Sequence, residues 1–229
     1  MEDFINVLAS VEIFRDLDRG RLETIAKRCR LDQYSRQQII FGHGDLSADV
    51  YFIKSGRVGI TIFSQTGKEI AFRQQKPGEM FGDIAAIDRK PRSTAVVSLS
   101  TVELLRISDT DFLEVLREMP DVSLRSMQRL TSLVRALSER VFEYTTYGVR
   151  NRIHAELLRL AKATGQPGPT INIYPAPTHA ELANQVSTHR EAVTREFGNL
   201  AGQGILEKRG RNLIIHDITR LEALVDEIN

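Results

Sequence analysis

The chain has 229 residues, 41% hydrophobic and 27% charged, and its 31 Lys+Arg against 30 Asp+Glu leave a formal charge of +1. This is the composition of a soluble globular protein. No run of about 18 apolar residues offers a membrane span, the acidic start at Glu2 and Asp3 fits no signal or transit peptide, and the single Cys29 excludes a disulfide framework, a cysteine-rich zinc site and a four-thiolate iron–sulfur cluster. One thiol fits a reducing, cytoplasmic setting. Residues 1–147 carry 21 basic and 21 acidic side chains, and residues 148–229 carry 10 and 9. Any nucleic-acid binding must therefore rest on local arrangement rather than bulk charge.

Near the start, Leu22, Ile25, Ala26 and Cys29 share one face of an amphipathic helix, which makes Cys29 a core thiol. From Leu31 to Ile107 short apolar runs alternate with turn residues. Val50–Ile53, Val58–Phe63 and Glu69–Phe72 are punctuated by Gly44-Asp45, Ser55-Gly56, Gly67 and Pro77-Gly78. Strand-like runs at about ten-residue spacing predict a small sandwich or barrel. Within it, the stretch Gly78 to Ala95 reads as a short helical turn opened by Gly82, followed by Arg92, Ser93 and Thr94. Free backbone N–H groups, an arginine fork and two hydroxyls suit one phosphate. Asp83 offers an acceptor for a ribose hydroxyl.

From Asp109 the period changes to helical. Met127, Leu130, Val134, Leu137, Val141 and Tyr144 are spaced 3, 4, 3, 4, 3, an a/d seam on one long helix that predicts a dimer. Arg125, Arg129, Arg135 and Glu139 lie on the opposite face. Gly148 interrupts the pattern and marks a hinge or boundary. A second amphipathic helix follows (Ile153, Leu157, Leu160, Ala161), then a loop over 164–169.

Thr178 and Glu181 fit a Thr-x-x-Glu capping box, and Thr188 with Glu191 fits a second one ten residues later. Two helix starts so close predict a helix-turn-helix, with Leu182, Ala183 and Val186 inward on the first helix and Val193, Phe197 and Leu200 inward on the second. Arg190, Glu191, Thr194 and Arg195 then point elsewhere, in the first two turns, the part of a recognition helix that reads base edges. Arginine donates to guanine O6 and N7, and glutamate accepts from cytosine N4. Apolar runs at 205–206 and 213–215 flank the basic turn Lys208-Arg209-Gly210-Arg211, a hairpin whose cations suit phosphate. His189 and His179 suit phosphate better than a metal, and His43 reads as a surface turn residue.

The order of these parts resembles the cAMP receptor protein/FNR family of bacterial transcription regulators over nearly the whole chain. Phe81-Gly82-Asp83-Ile84 through Pro91-Arg92-Ser93-Thr94 resembles the phosphate-binding cassette of cyclic nucleotide-binding domains, and Arg190-Glu191 with Arg195 resembles the family's recognition helix. The resemblance implies an α+β fold. An N-terminal β-roll (jelly-roll-like) cyclic nucleotide-binding domain would span 1–108, a long dimerisation helix 109–147 and a C-terminal winged helix-turn-helix 148–229. It further implies that Arg92 and Ser93 hold the cyclic phosphate and that Gly82 and Asp83 hold the ribose. Ile84 and Thr94 belong to the same cassette. Ile60 and Phe72 would wall the purine, and Leu137 and Ser138 would meet the base across the dimer. The implied DNA contacts are Thr178, Thr188, His189, Arg190, Glu191, Thr194, Arg195, Lys208 and Arg209, reading half-sites of the TGTGA kind with a recognition helix at 188–202.

Three positions depart from the family pattern: Asp83 stands for a glutamate, Leu137 for a threonine that helps read adenine, and Ser187 for the usual turn glycine. The ligand is therefore cAMP or cGMP, with no metal, haem or iron–sulfur cluster. No nucleophile–base pair or paired-carboxylate spacing points to an enzyme. Two other readings are a ligand-independent regulator with a vestigial pocket and a cyclic nucleotide-binding protein acting on protein partners. The implied partners are a second copy of the chain and palindromic duplex DNA. RNA polymerase is left open.

Overall fold

Alternating apolar positions between Arg30 and Ile107 build two four-stranded antiparallel sheets in the computed structural model, which describes residues 1–63 and 69–226, with side chains outside 62–73 and 226. One sheet runs β1 (Arg30–Tyr34), β8 (Val102–Ile107), β3 (Val50–Ser55), β6 (Met80–Phe81). The other runs β2 (Ile39–Phe41), β7 (Ala95–Ser98), β4 (Val58–Phe63), β5 (Glu69–Gln75). The two-residue period of the strand sorts β3 into two cores. Tyr51 and Ile53 pack with Phe41, Phe81, Val96 and Leu104, while Val50 and Phe52 pack with Leu105 and Ile107 beneath the helices. Those helices are α1 (Glu2–Ser10), α2 (Arg19–Lys27) and α4 (Asp109–Glu118), with α3 (Asp83–Asp88) inserted after β6. Phe14, in a 3-10 turn after α1, meets the Phe52 ring at 5.2 Å between centroids. Cys29 falls beyond the end of α2, before β1, but its side chain is buried in this core as expected. Its Sγ donates to the Ile25 carbonyl oxygen at 3.4 Å.

Residues 109–147 are not one helix. α4 stops at Glu118, Met119 leaves helical geometry at φ −128°, ψ 83°, and α5 runs Pro120–Thr146. The cause is Pro120: its ring disfavours the α region for the residue before it, while its own fixed φ suits a first helical position. The chain divides into two compact units, Met1–Val134 and Arg135–Asn229.

The second unit holds α6 (Val149–Lys162), β9 (Ile171–Ile173), α7 (His179–Gln185), α8 (Arg190–Gly202), β10 (Leu206–Arg209), β11 (Asn212–Ile215) and α9 (Ile218–Asp226). Ile153, Leu157, Leu182, Val193, Leu200, Leu213 and Leu221 form its core. β10 and β11 make a hairpin with β9 as a third strand. Lys208 and Arg209 lie in β10 rather than in the turn, which is only Gly210-Arg211, with Gly210 at φ +59°. A two-residue hairpin turn wants positive φ at its first position. Gly148 caps α6 at φ −62°, a value open to any residue. No helix among the described residues is long and apolar enough to cross a membrane.

Candidate functional site

Two sets of side chains carry chemistry. The first lines a cavity of about 90 Å³ in the N-terminal unit, bounded by Phe41, Ile60, Gln75, Phe81, Gly82, Asp83, Ile84, Ala85, Arg92, Ser93, Thr94, Val96, Arg129 and Leu133. Arg92, only 2% exposed, is its buried cation. Its Nε donates to Ser47 Oγ at 3.1 Å, Nη1 to the Gly82 carbonyl at 2.9 Å and Nη2 to the Asp49 carbonyl at 2.8 Å. The guanidinium lies 4.0 Å above the Phe41 ring. The predicted Gly44-Asp45 turn serves this arginine: Gly44 N–H donates to the Arg92 carbonyl and Arg92 N–H to the Asp45 carbonyl. Three of the five guanidinium N–H groups are thus held by the protein, which fixes the plane of the fork. Burial lowers the Arg92 pKa from its ordinary value, against the pull of Tyr51, Asp49, Asp45 and Asp83.

Gly82 sits at φ +89°, and a Cβ there would come within 2.6 Å of the Asp49 carbonyl oxygen and 2.9 Å of Arg92 Nη1. The glycine is what lets Arg92 reach the β6–α3 junction. Asp83, 5% exposed, is not an open acceptor: Arg129 Nη1 on α5 forms an ion pair with its carboxylate, and Arg129 Nη2 donates to the Met80 carbonyl at 3.1 Å. Gln75 Nε2 donates to that same carbonyl at 3.2 Å. Gly82, Asp83, Ile84, Arg92, Ser93, Thr94 and Ile60 are brought together as expected. Leu137 and Ser138 belong to the second unit and are not among the lining residues, and Phe72 lies in β5 with its side chain outside the described residues. Sequence reasoning missed Arg129, Leu133 and Gln75. Arg129 and Leu133 are four apart on α5 and so share one face, a cue that the neighbouring dimer seam masked.

The second set lies on α7, α8 and the hairpin. The Thr178–Glu181 capping box forms, with Thr178 Oγ1 accepting from Glu181 N–H at 3.1 Å and Glu181 accepting from Thr178 N–H at 2.7 Å. The expected Thr188–Glu191 box does not. Ser187 adopts φ +51°, Thr188 N–H donates to the Ala183 carbonyl, and the helix starts at Arg190 with His189 as an N-cap whose side chain makes no capping bond. Glu191 is thereby left to the exposed face with Arg190, Thr194 and Arg195, and none of Arg190, Glu191 and Arg195 carries a side-chain hydrogen bond or ion pair among the described residues. Thr178, His189, Lys208 and Arg209 are also exposed and Thr188 is half-buried, while Arg209 Nε donates to Glu207 at 2.5 Å. His179 turns inward, against the expectation that it touches phosphate. Its ring lies 4.6 Å from Phe197, Nδ1 is 2.8 Å from Thr194 Oγ1, Nε2 is buried, and burial lowers its pKa, helped by Lys208 and Arg190. Glu196 also turns inward, at 3% exposure.

Residues 31–119 match the cyclic nucleotide-binding domain and residues 151–224 the Crp-like helix-turn-helix domain. The chain belongs to the cAMP receptor protein/FNR family. It is a DNA-binding transcription regulator with a cyclic nucleotide-binding domain. It is 24% identical to a CRP-like cAMP-activated global transcriptional regulator of Mycobacterium tuberculosis, over 94% of this chain and 96% of that one. It is 28% identical to a cyclic AMP receptor protein of Thermus thermophilus, over 83% and 86%. In fold it is similar to a double mutant of CooA from Carboxydothermus hydrogenoformans, at 20% identity with TM-score 0.80, covering 94% of each chain.

Proposed function

We propose that this regulator is a cytoplasmic, non-enzymatic homodimer in which cAMP or cGMP, bound against Arg92, controls the affinity of α8 and the β10–β11 hairpin for palindromic DNA with TGTGA-like half-sites. The observation that carries the reading is Arg92: a buried guanidinium, held on three sides by protein acceptors, with Ser93 and Thr94 beside it on the cavity wall. A buried cation with its fork so fixed is complementary to one phosphate. One relative is named as a cAMP-activated regulator and another as a cyclic AMP receptor protein, which supports this ligand class.

The dimer reading rests on α5. Met127, Val134, Val141 and Tyr144 are 57, 61, 62 and 40% exposed in the single chain, all on the a/d seam. A contiguous apolar stripe of this kind is covered by a partner in a stable protein. Two recognition helices about 34 Å apart then meet successive major grooves. The nucleotide acts by binding one arrangement of the dimer more tightly than the other, with Gly148 as the hinge. Ribose hydroxyls reach Asp83 in competition with, or alongside, Arg129 on α5, so the same carboxylate links ligand to helix. Titration of labelled palindromic DNA with no nucleotide, with cAMP and with cGMP tests the gating. Tighter binding with one nucleotide is expected, and equal affinity in all three conditions rejects it.

A further inference from the structure

His179, the first residue of α7, packs against the second turn of α8. Its ring centroid lies 4.6 Å from that of Phe197, and its Nδ1 stands 2.8 Å from Thr194 Oγ1. Thr194 Oγ1 also lies 3.0 Å from the Arg190 carbonyl oxygen, one turn back on α8. A hydroxyl has one proton to donate and two lone pairs. The carbonyl can only accept, so the proton goes to Arg190, in the back-bond that helical threonines make. A lone pair then faces His179, and Nδ1 must carry the ring proton to complete the second bond. The other ring nitrogen agrees. Nε2 is buried and has no partner among the described residues. Orphaned buried N–H groups are rarer than under-used acceptors, so the bare lone pair falls on Nε2. Burial, with Lys208 and Arg190 nearby, holds the ring pKa below its ordinary value, which keeps the ring neutral above neutral pH.

The back-bond to Arg190 does not by itself fix Thr194, because a helical threonine divides between two rotamers. The bond from His179 selects one of them. Thr194 is exposed on the same face as Arg190, Glu191 and Arg195. Its only proton is committed within the helix, so it has no donor for guanine O6 or N7, adenine N7 or thymine O4. With Oγ1 tied to the backbone and to His179, the branch of the side chain left for a groove is the methyl. A threonine methyl makes apolar contact with the C5-methyl of thymine.

We propose that Thr194 is a specificity-determining residue that reads the C5-methyl of a thymine, and that His179 is the positioning residue that holds it to this role. The imidazole engages the hydroxyl from the inner side of α8, so a polar side chain presents an apolar tip among the charges of Arg190, Glu191 and Arg195. Without Nδ1–H the second rotamer opens, and the preference for a methyl weakens. The inference rests on the reading that α8 enters the DNA groove.

The test uses the full-length protein at pH 8, where the His179 ring is neutral, and a labelled duplex that the protein itself selects from a random-sequence pool with saturating cAMP or cGMP, whichever binds. Each thymine of the selected half-site is replaced in turn by uracil, which removes only the C5-methyl. Wild type should lose about fourfold in affinity at one thymine, the size expected for one buried methyl, and little at the others. Thr194→Ser keeps the hydroxyl and lacks the methyl, and should bind thymine and uracil alike at that position. His179→Phe keeps a ring against Phe197 and lacks Nδ1, and should lose most of the discrimination. A selected half-site with no methyl-sensitive thymine, or a sensitivity that survives Thr194→Ser, overturns the methyl reading and leaves DNA binding standing. Discrimination unchanged in His179→Phe overturns the positioning role. Should that variant fold poorly, the imidazole nitrogen NMR shifts of wild type decide: a protonated Nδ1 and a bare Nε2 are expected, and a proton on Nε2 overturns the role of His179. Failure to select any duplex overturns the DNA-reading premise and this inference together.

Discussion

Asp83 and Arg129 illustrate how one pair of side chains serves fold and site at once. Asp83 is 5% exposed and Arg129 is its charged partner. Removing one partner of a buried ion pair leaves the other uncompensated, at roughly 3–5 kcal/mol. Arg129→Ala should therefore destabilise the N-terminal unit by about 3 kcal/mol in urea unfolding, and pairing it with Asp83→Asn should recover most of that loss; additive losses would show that the two groups are not coupled. Arg92→Lys tests a different property. Lysine keeps the charge but not the planar fork that Ser47, Gly82 and Asp49 hold, so nucleotide binding measured by calorimetry should fall at least tenfold with the fold intact. Cys29 marks the contrast of a buried side chain that packs in the core: burial pushes its thiol up to about 12, assisted by Asp111, and it should resist alkylation by iodoacetamide at pH 8 until the protein is unfolded.

At the scale of elements, the turn between α7 and α8 shows where sequence patterns succeed and where they fail. Both Thr-x-x-Glu boxes look alike in the sequence, yet only the first forms. The difference lies in backbone geometry: Ser187 in the left-handed region and the Thr188 N–H to Ala183 carbonyl bond delay helix entry by one residue, from an N-cap at Thr188 to one at His189. A non-glycine in that region is strained by roughly 1–2 kcal/mol, so Ser187→Gly should raise the melting temperature of the domain slightly, the gain trimmed by glycine's unfolded-state entropy. A lower melting temperature would mean that the serine side chain matters in a way its φ does not reveal. The strands, the helix-turn-helix and the basic hairpin were legible because period-2 and period-3.6 patterns report burial directly. The break between α4 and α5 was written in Pro120 but overridden by the heptad spacing downstream of it. Glu196 was illegible for another reason. A charged residue between Arg195 and Phe197 reads as solvent-facing, and only its distant partners His154 and Arg150, more than forty positions away, make its burial possible.

For the molecule as a whole, charge arrangement sets the expected behaviour toward DNA. Release of counterions gives a slope of log affinity against log salt of about −0.9 per phosphate neutralised. In the proposed dimer Arg190 and Arg195 face base edges, which leaves Lys208, Arg209 and Arg211 of each subunit for phosphates. Six such contacts predict a slope near −5 by that rule. Arg209 is already paired with Glu207, so part of its charge is spent within the protein before DNA arrives. Arg209→Ala should then flatten the slope less than Lys208→Ala, while neither variant changes which sequence is preferred. Arg195→Ala should do the reverse, relaxing sequence preference at its base by about 1–3 kcal/mol with the salt slope nearly unchanged. A slope much steeper than −5 would mean that cations outside the helix-turn-helix also meet the phosphates, and that the near-neutral surface of the rest of the chain hides a second basic track.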